Sequence, residues 1–128
     1  MDESKKPTKA NTVLVIDDSD IDRQVMVDLV ARAGFEVHDL PTAIGATRAA
    51  REHGARVVVI DQNLPALNGA KLAQLFRSNP SMREIKLILI SSNDEATMSD
   101  LVREARADAF VSKDRMHSDL VPTIKRLL

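Results

Sequence analysis

Val57-Val58-Val59-Ile60-Asp61-Gln62-Asn63-Leu64-Pro65-Ala66-Leu67-Asn68-Gly69 passes from an unbroken β-branched run, through a carboxylate and a turn, to the start of a helix. Arg56 to Ile60 reads as a strand covered on both faces, since it is apolar without alternation and too short for a helix. Thr12 to Ile16 is a second such run, closed by the acidic pair Asp17-Asp18. Lys86 to Ile90 is a third, closed by Ser91, and Asp108 to Val111 is a short one that precedes Lys113. Phe35 to Asp39 instead alternates, Phe35 and Val37 against Glu36 and His38, as an edge strand does.

Helical signals fill the gaps between these strands. Ser19 with Asp22 opens a first helix whose apolar residues are Ile21, Val25, Met26, Leu29, Val30 and Ala33, with Gly34 as a left-handed cap. Thr42 caps a second helix through His53. Asn68-Gly69 leads a third carrying Leu72, Leu75 and Phe76, which Asn79-Pro80 stops. Ser92 with Glu95 caps a fourth that buries Ala96, Leu101, Val102 and Ala105. Leu120, Val121, Ile124, Leu127 and Leu128 line a fifth. Pro122 fits only a first turn, which places that helix's N-cap near Asp119. Five strands alternating with five helices make an α/β, doubly wound, five-stranded parallel sheet; right-handed crossovers leave few topologies, and one common order is 2-1-3-4-5. In that order the switch point lies between strands one and three, so Asp17, Asp18 and Asp61 meet at one crevice.

Composition narrows the function. The 128 residues suit one domain, expected over 12–128 behind a short flexible tail over 1–11. A net charge of -1 and only three aromatic residues give no surface for nucleic acid. There is no cysteine, hence no disulfide or thiolate metal site. No apolar stretch approaches a membrane span and the N-terminus has no signal core, so no membrane insertion and a cytoplasmic location are expected.

Three carboxylates at one crevice repel one another and form a hard oxygen site suited to Mg²⁺ or Mn²⁺. His38, His53 and His117 are scattered in sequence, which disfavours zinc. A carboxylate beside such an ion can accept a phosphoryl group as an acyl phosphate, a reaction that needs mainly positioning and charge neutralisation. Ser91 offers a hydroxyl and Lys113 an ammonium at neighbouring strand ends. Taken singly, each of these residues reads equally as a turn or cap residue; their joint placement makes the case.

The acidic pair, the motif Asp-x-x-Leu-Pro-x-x-Asn-Gly from Asp61 to Gly69, Ser91 and Lys113 together resemble the receiver domain of bacterial two-component response regulators, with its flavodoxin-like, CheY-like fold. The steps of 30 residues from Asp61 to Ser91 and 22 from Ser91 to Lys113 are similar to the family's spacing. The resemblance implies that Asp61 is the phosphoacceptor. It implies that Asp18, Asp61 and the carbonyl of Asn63 ligate Mg²⁺, with Asp17 acting through water. It implies that Ser91 and Lys113 hold phosphoryl oxygens and that Phe110 is the aromatic switch; Phe110 reads equally well as a plain core residue. The implied partners are a sensor histidine kinase or phosphotransferase, contacted by the first turns of helix one, and a downstream protein target in trans. A receiver catalyses only its own phosphorylation and dephosphorylation, so it is no turnover enzyme.

Asp114 departs from the family's usual Pro after the lysine. A trans bond is expected there, with a rearranged loop, a less constrained Lys113 and a fourth carboxylate near the crevice. Ser92 stands where Ala is common. The alternative is a receiver-like interaction module that works without phosphorylation. An aspartyl phosphatase is weakened by Asn63, which stands where an acid/base carboxylate is needed. FMN binding lacks a phosphate loop after strand one.

Overall fold

A computed structural model describes residues 12–128; the tail expected over 1–11 lies outside the described residues. The strands are β1 (Thr12–Ile16), β2 (Glu36–Leu40), β3 (Val57–Asp61), β4 (Lys86–Ser91) and β5 (Ala109–Ser112). They form one parallel sheet in the order β2-β1-β3-β4-β5. The helices are α1 (Asp20–Arg32), α2 (Ala46–His53), α3 (Gly69–Ser78), α4 (Glu95–Ala105) and α5 (Met116–Leu127). Short 3-10 turns at Pro80–Met82 and Lys113–Arg115 complete the chain.

Alternate side chains of the central strands feed two cores. Leu14, Ile16, Val58, Ile60, Leu87 and Leu89 pack with Leu72 and Phe76 of α3 and Met98 of α4. Val13, Val15, Val57, Val59, Ile88 and Ile90 pack with Met26 and Val30 of α1 and Leu120 and Ile124 of α5. Burial on both sides is why β1, β3 and β4 read as continuous apolar runs. The register sets Ile16 beside Ile60, Asp61 beside Ile90 and Ser91 beside Ser112. The carboxyl ends of four strands are therefore level, at the edge where the crevice opens. No helix among the described residues is long and apolar enough to cross a membrane.

Helix starts depart most from the sequence expectation. α2 begins at Ala46, not beside Thr42, because Gly45 adopts φ 81° and breaks the helical path. The Thr42 hydroxyl accepts the Ile44 N–H at 3.2 Å and closes a turn instead. α4 is capped by Asp94, which accepts the Thr97 N–H at 2.7 Å, and not by Ser92. On this helix Ala96 is exposed, not buried as expected, and Met98 is buried. α5 starts at Met116, not near Asp119, and carries Pro122 in its interior. An internal proline costs about 3 kcal/mol, but the buried stripe Met116, Leu120, Thr123 and Ile124 outweighs it, at roughly 1.5–3 kcal/mol per large apolar side chain. On the first turn of α1, Ile21 is 77% exposed, so only the later part of that face enters the core. Leu75 and Leu128 are also exposed rather than in the core.

Candidate functional site

β1 delivers Asp17 and Asp18 to the crevice. Asp17 is fully buried, and its Oδ1 accepts the Ser19 N–H at 2.9 Å. Its backbone is fixed on both sides: its N–H donates to Leu40 O at 3.1 Å and its carbonyl accepts from Arg23 Nη1 at 2.8 Å. Arg23 also pairs with Asp20 at 2.7 Å and Asp39 at 2.8 Å, tying α1 to β2. Asp18 is exposed at the mouth.

β3 delivers Asp61, which is 1% exposed and whose Oδ1 accepts the Asn63 N–H at 3.1 Å. The following residue docks the strand end onto α3. The Gln62 carbonyl accepts the Gly69 N–H at 3.0 Å, and its side-chain Oε1 accepts the Ala70 N–H at 2.8 Å. Gln62 N–H donates to Ile90 O at 2.8 Å. A Cβ at position 69 would lie 2.6 Å from the Asp61 carbonyl oxygen, so glycine is required there by the close approach.

Carboxylate oxygens of Asp17, Asp18 and Asp61 lie within 4.8 Å of one another. The topology thus unites the three residues that the sequence placed at two strand ends. Burial, with the neighbouring Asp61 charge, raises the Asp17 carboxyl to about 6, against the bond from Ser19 and the Lys113 charge. Asp17 Oδ2 is buried and receives no directed hydrogen bond; the nearest cation is Lys113 Nζ at 3.1 Å. An underserved buried oxygen inside an all-carboxylate set is what a hard divalent cation satisfies, so these residues fit Mg²⁺ or Mn²⁺.

Lys113 reaches the same point from the far side. Its Nζ lies 2.8 Å from Asp22 Oδ2, 3.1 Å from Asp17 Oδ2 and 3.4 Å from Asp61 Oδ2. Burial disfavours the ammonium, but the hydrogen bond to Asp22, the close Asp17 carboxylate and the Asp61 charge hold its pKa above the ordinary lysine value. The expected loosening of Lys113 is not seen. Asp114 donates its N–H to Ser112 Oγ at 3.2 Å, a bond that a proline could not make, and this closes the 3-10 turn that carries the lysine. Among the described residues all peptide bonds are trans, as expected before Asp114.

Asp114 itself is exposed and stands outside the acidic group. The additional carboxylate on the lysine is Asp22, a role that sequence reasoning missed. The only sequence signal was its place in the first turn of α1, behind the β1 carboxylates.

Ser91 is buried at the end of β4, and its Oγ accepts the Asn93 N–H at 3.0 Å, leaving its own hydrogen free to donate. Asn63 lies at the exposed rim. Phe110 is half-buried: it packs on the core beneath α3 and α4, and it borders a cavity of about 560 Å³ lined also by Ser92, Asp94, Asp114, Arg115 and Asp119. The histidines are less scattered than the sequence suggested. His38 and His53 stack with ring centroids 3.6 Å apart, yet neither joins a metal-ligating group among the described residues.

A doubly wound sheet with an acidic crevice at its switch point, faced by a lysine from the turn after the last strand, is the arrangement to set beside known families. The model of the response regulator receiver domain family matches residues 13–125, and the chain belongs to that family. The polar-differentiation response regulator DivK of Brucella ovis is 22% identical, over 91% of this chain and 95% of that protein. The fold matches chemotaxis protein CheY4 of Vibrio cholerae with a TM-score of 0.84 at 21% identity, covering 91% of this chain and 98% of that one. It also matches the signal receiver domain of a histidine kinase from Syntrophus aciditrophicus, with a TM-score of 0.82 at 21% identity over 92% and 89% of the two chains.

Proposed function

We propose that the protein is a phosphoacceptor receiver in which Asp61 takes a phosphoryl group from a phosphohistidine donor, held on a sensor histidine kinase or phosphotransferase. The observation that carries this reading is the convergence of Lys113, Asp17 and Asp18 on the buried Asp61. Asp18, Asp61 and the Asn63 carbonyl would hold Mg²⁺ or Mn²⁺ directly, with Asp17 acting through water. The ion supplies positive charge that offsets the phosphoryl oxygens. An Asp61 carboxylate oxygen attacks phosphorus, the donor P–N bond breaks, and its electron pair stays on the imidazole. Lys113 pairs with one phosphoryl oxygen and the Ser91 hydroxyl donates to another. Water later attacks phosphorus and releases inorganic phosphate, restoring the carboxylate. The chain acts only on its own acyl phosphate, in the cytoplasm.

The new charge at the crevice alters packing along β4, α4, β5 and α5, including Phe110, and so changes what a downstream protein target meets. Incubation with acetyl phosphate and Mg²⁺ tests the acceptor. Intact-mass spectrometry should show one added phosphoryl group on the wild type and none on Asp61→Asn; equal labelling refutes the assignment. The depth of Asp61 favours one rival, an interaction module that never becomes phosphorylated. Absence of any beryllofluoride complex at millimolar Mg²⁺ would favour that rival.

A further inference from the structure

The shortest contact of the crevice lysine is not to the acceptor. Lys113 Nζ sits 2.8 Å from Asp22 Oδ2 and 3.4 Å from Asp61 Oδ2. We propose that Asp22 is a positioning residue that competes with the phosphoryl group for Lys113, restraining the unmodified site and letting go of the lysine when Asp61 is modified. The proposal rests on Asp61 being the phosphoacceptor.

Asp22 is presented from a fixed platform. Its N–H donates to the Ser19 hydroxyl at 3.2 Å, which sets the start of α1. The next residue, Arg23, is locked by Asp20, Asp39 and the Asp17 carbonyl. Arg23 is thereby occupied elsewhere, and Lys113 is the cation that Asp22 pairs with among the described residues. An ammonium has three hydrogens to give. Asp22 holds the shortest contact, Asp17 lies at 3.1 Å without a directed bond, and Asp61 is farthest. A phosphoryl group on Asp61 offers stronger acceptor oxygens on the Asp61 side of the lysine. Drawing Nζ towards them lengthens the Asp22 contact. The Asp22 side chain is already 33% exposed while paired and lies in the first turn of α1, where water and the helix dipole both support its charge. Release is therefore inexpensive, and it moves a charge on a surface turn far along the chain from Lys113.

The test titrates beryllofluoride at fixed Mg²⁺, followed by ¹⁹F and amide NMR, on the wild type, Asp22→Asn, Asp22→Glu, Lys113→Ala and Asp22→Asn with Lys113→Ala. Loss of a partly exposed ion pair predicts roughly fivefold tighter binding in Asp22→Asn. Asp22→Glu should stay near wild type, and the Asp22 effect should vanish once Lys113 is gone. In the wild type, the Asp22 ¹³Cγ resonance should move on complex formation. Equal affinity of wild type and Asp22→Asn, or an unmoved Asp22 resonance, overturns the proposal while leaving the acceptor assignment intact. The same tightening without Lys113 also overturns it, since Asp22 would then be only a background charge. If the wild type forms no complex at all, the acceptor reading itself fails.

Discussion

The loop after β3 and the turn after β5 each bring one charged side chain to the crevice, and they hold it by different means. Asp61 is set by backbone contact: Gln62 bonds α3 twice, and Gly69 presses against the Asp61 carbonyl with no room for a Cβ. Lys113 is set by charge, on a 3-10 turn closed by one Ser112–Asp114 bond, with its ammonium shared among carboxylates from two elements and the start of a helix. A nucleophile must keep its place to within a few tenths of an ångström. A lysine that follows a developing charge gains from partners it can exchange. One loop is accordingly rigid and the other reassignable.

If that contrast is right, Gly69→Ala is the most damaging change. The added methyl meets backbone at 2.6 Å and 2.8 Å, which cannot rotate away. We expect a loss of about 2–3 kcal/mol in urea unfolding, with reduced acetyl phosphate labelling; an unchanged midpoint would show that the β3 loop is soft.

Next comes the charged side of the crevice, probed without divalent ions. Asp17 has its folded carboxyl raised to about 6 from an ordinary 3.8. Above pH 6 it is ionised in both states, and burial makes that ionisation unfavourable in the folded state, so its destabilising contribution is complete. As pH falls towards 4 the folded state takes up the proton first, and below that both states are protonated and the penalty is gone. Asp17→Asn should therefore stabilise by about 1–3 kcal/mol at pH 8 and by almost nothing near pH 4. A gain independent of pH would mean that charge is not what strains this side.

The smallest effect belongs to the rigid loop again. Ala66 is held at φ 67°, a left-handed conformation that costs an alanine roughly 1 kcal/mol. Ala66→Gly should raise stability by up to that amount, read as a small rise in Tm, with labelling unchanged.

Strands and acidic residues were legible in the sequence because their signals are local and strong. Val57 to Ile60 can hardly be other than a two-sided strand, and Asp17, Asp18 and Asp61 close such runs. Helix starts were less legible. Ser92 and Asp94 are both competent caps; it is the Asp94 side chain that accepts the Thr97 N–H, and the helix that follows buries Met98. Pro122 argued for a late α5, but the apolar stripe beginning at Met116 outweighed one lost hydrogen bond. Such contests turn on packing against a sheet that a local pattern does not contain.

By itself, the chain's order of residues determined the alternating architecture and set carboxylates at the ends of two buried strands, since hydrophobic period suffices for these, while crossover handedness narrowed the sheet to a few orders that include the observed one. Only the tertiary structure decided which carboxylate the lysine touches most closely. Asp22 and Lys113 are 91 residues apart, and an ion pair between distant segments depends on where two helix and strand ends come to rest, which no periodicity records.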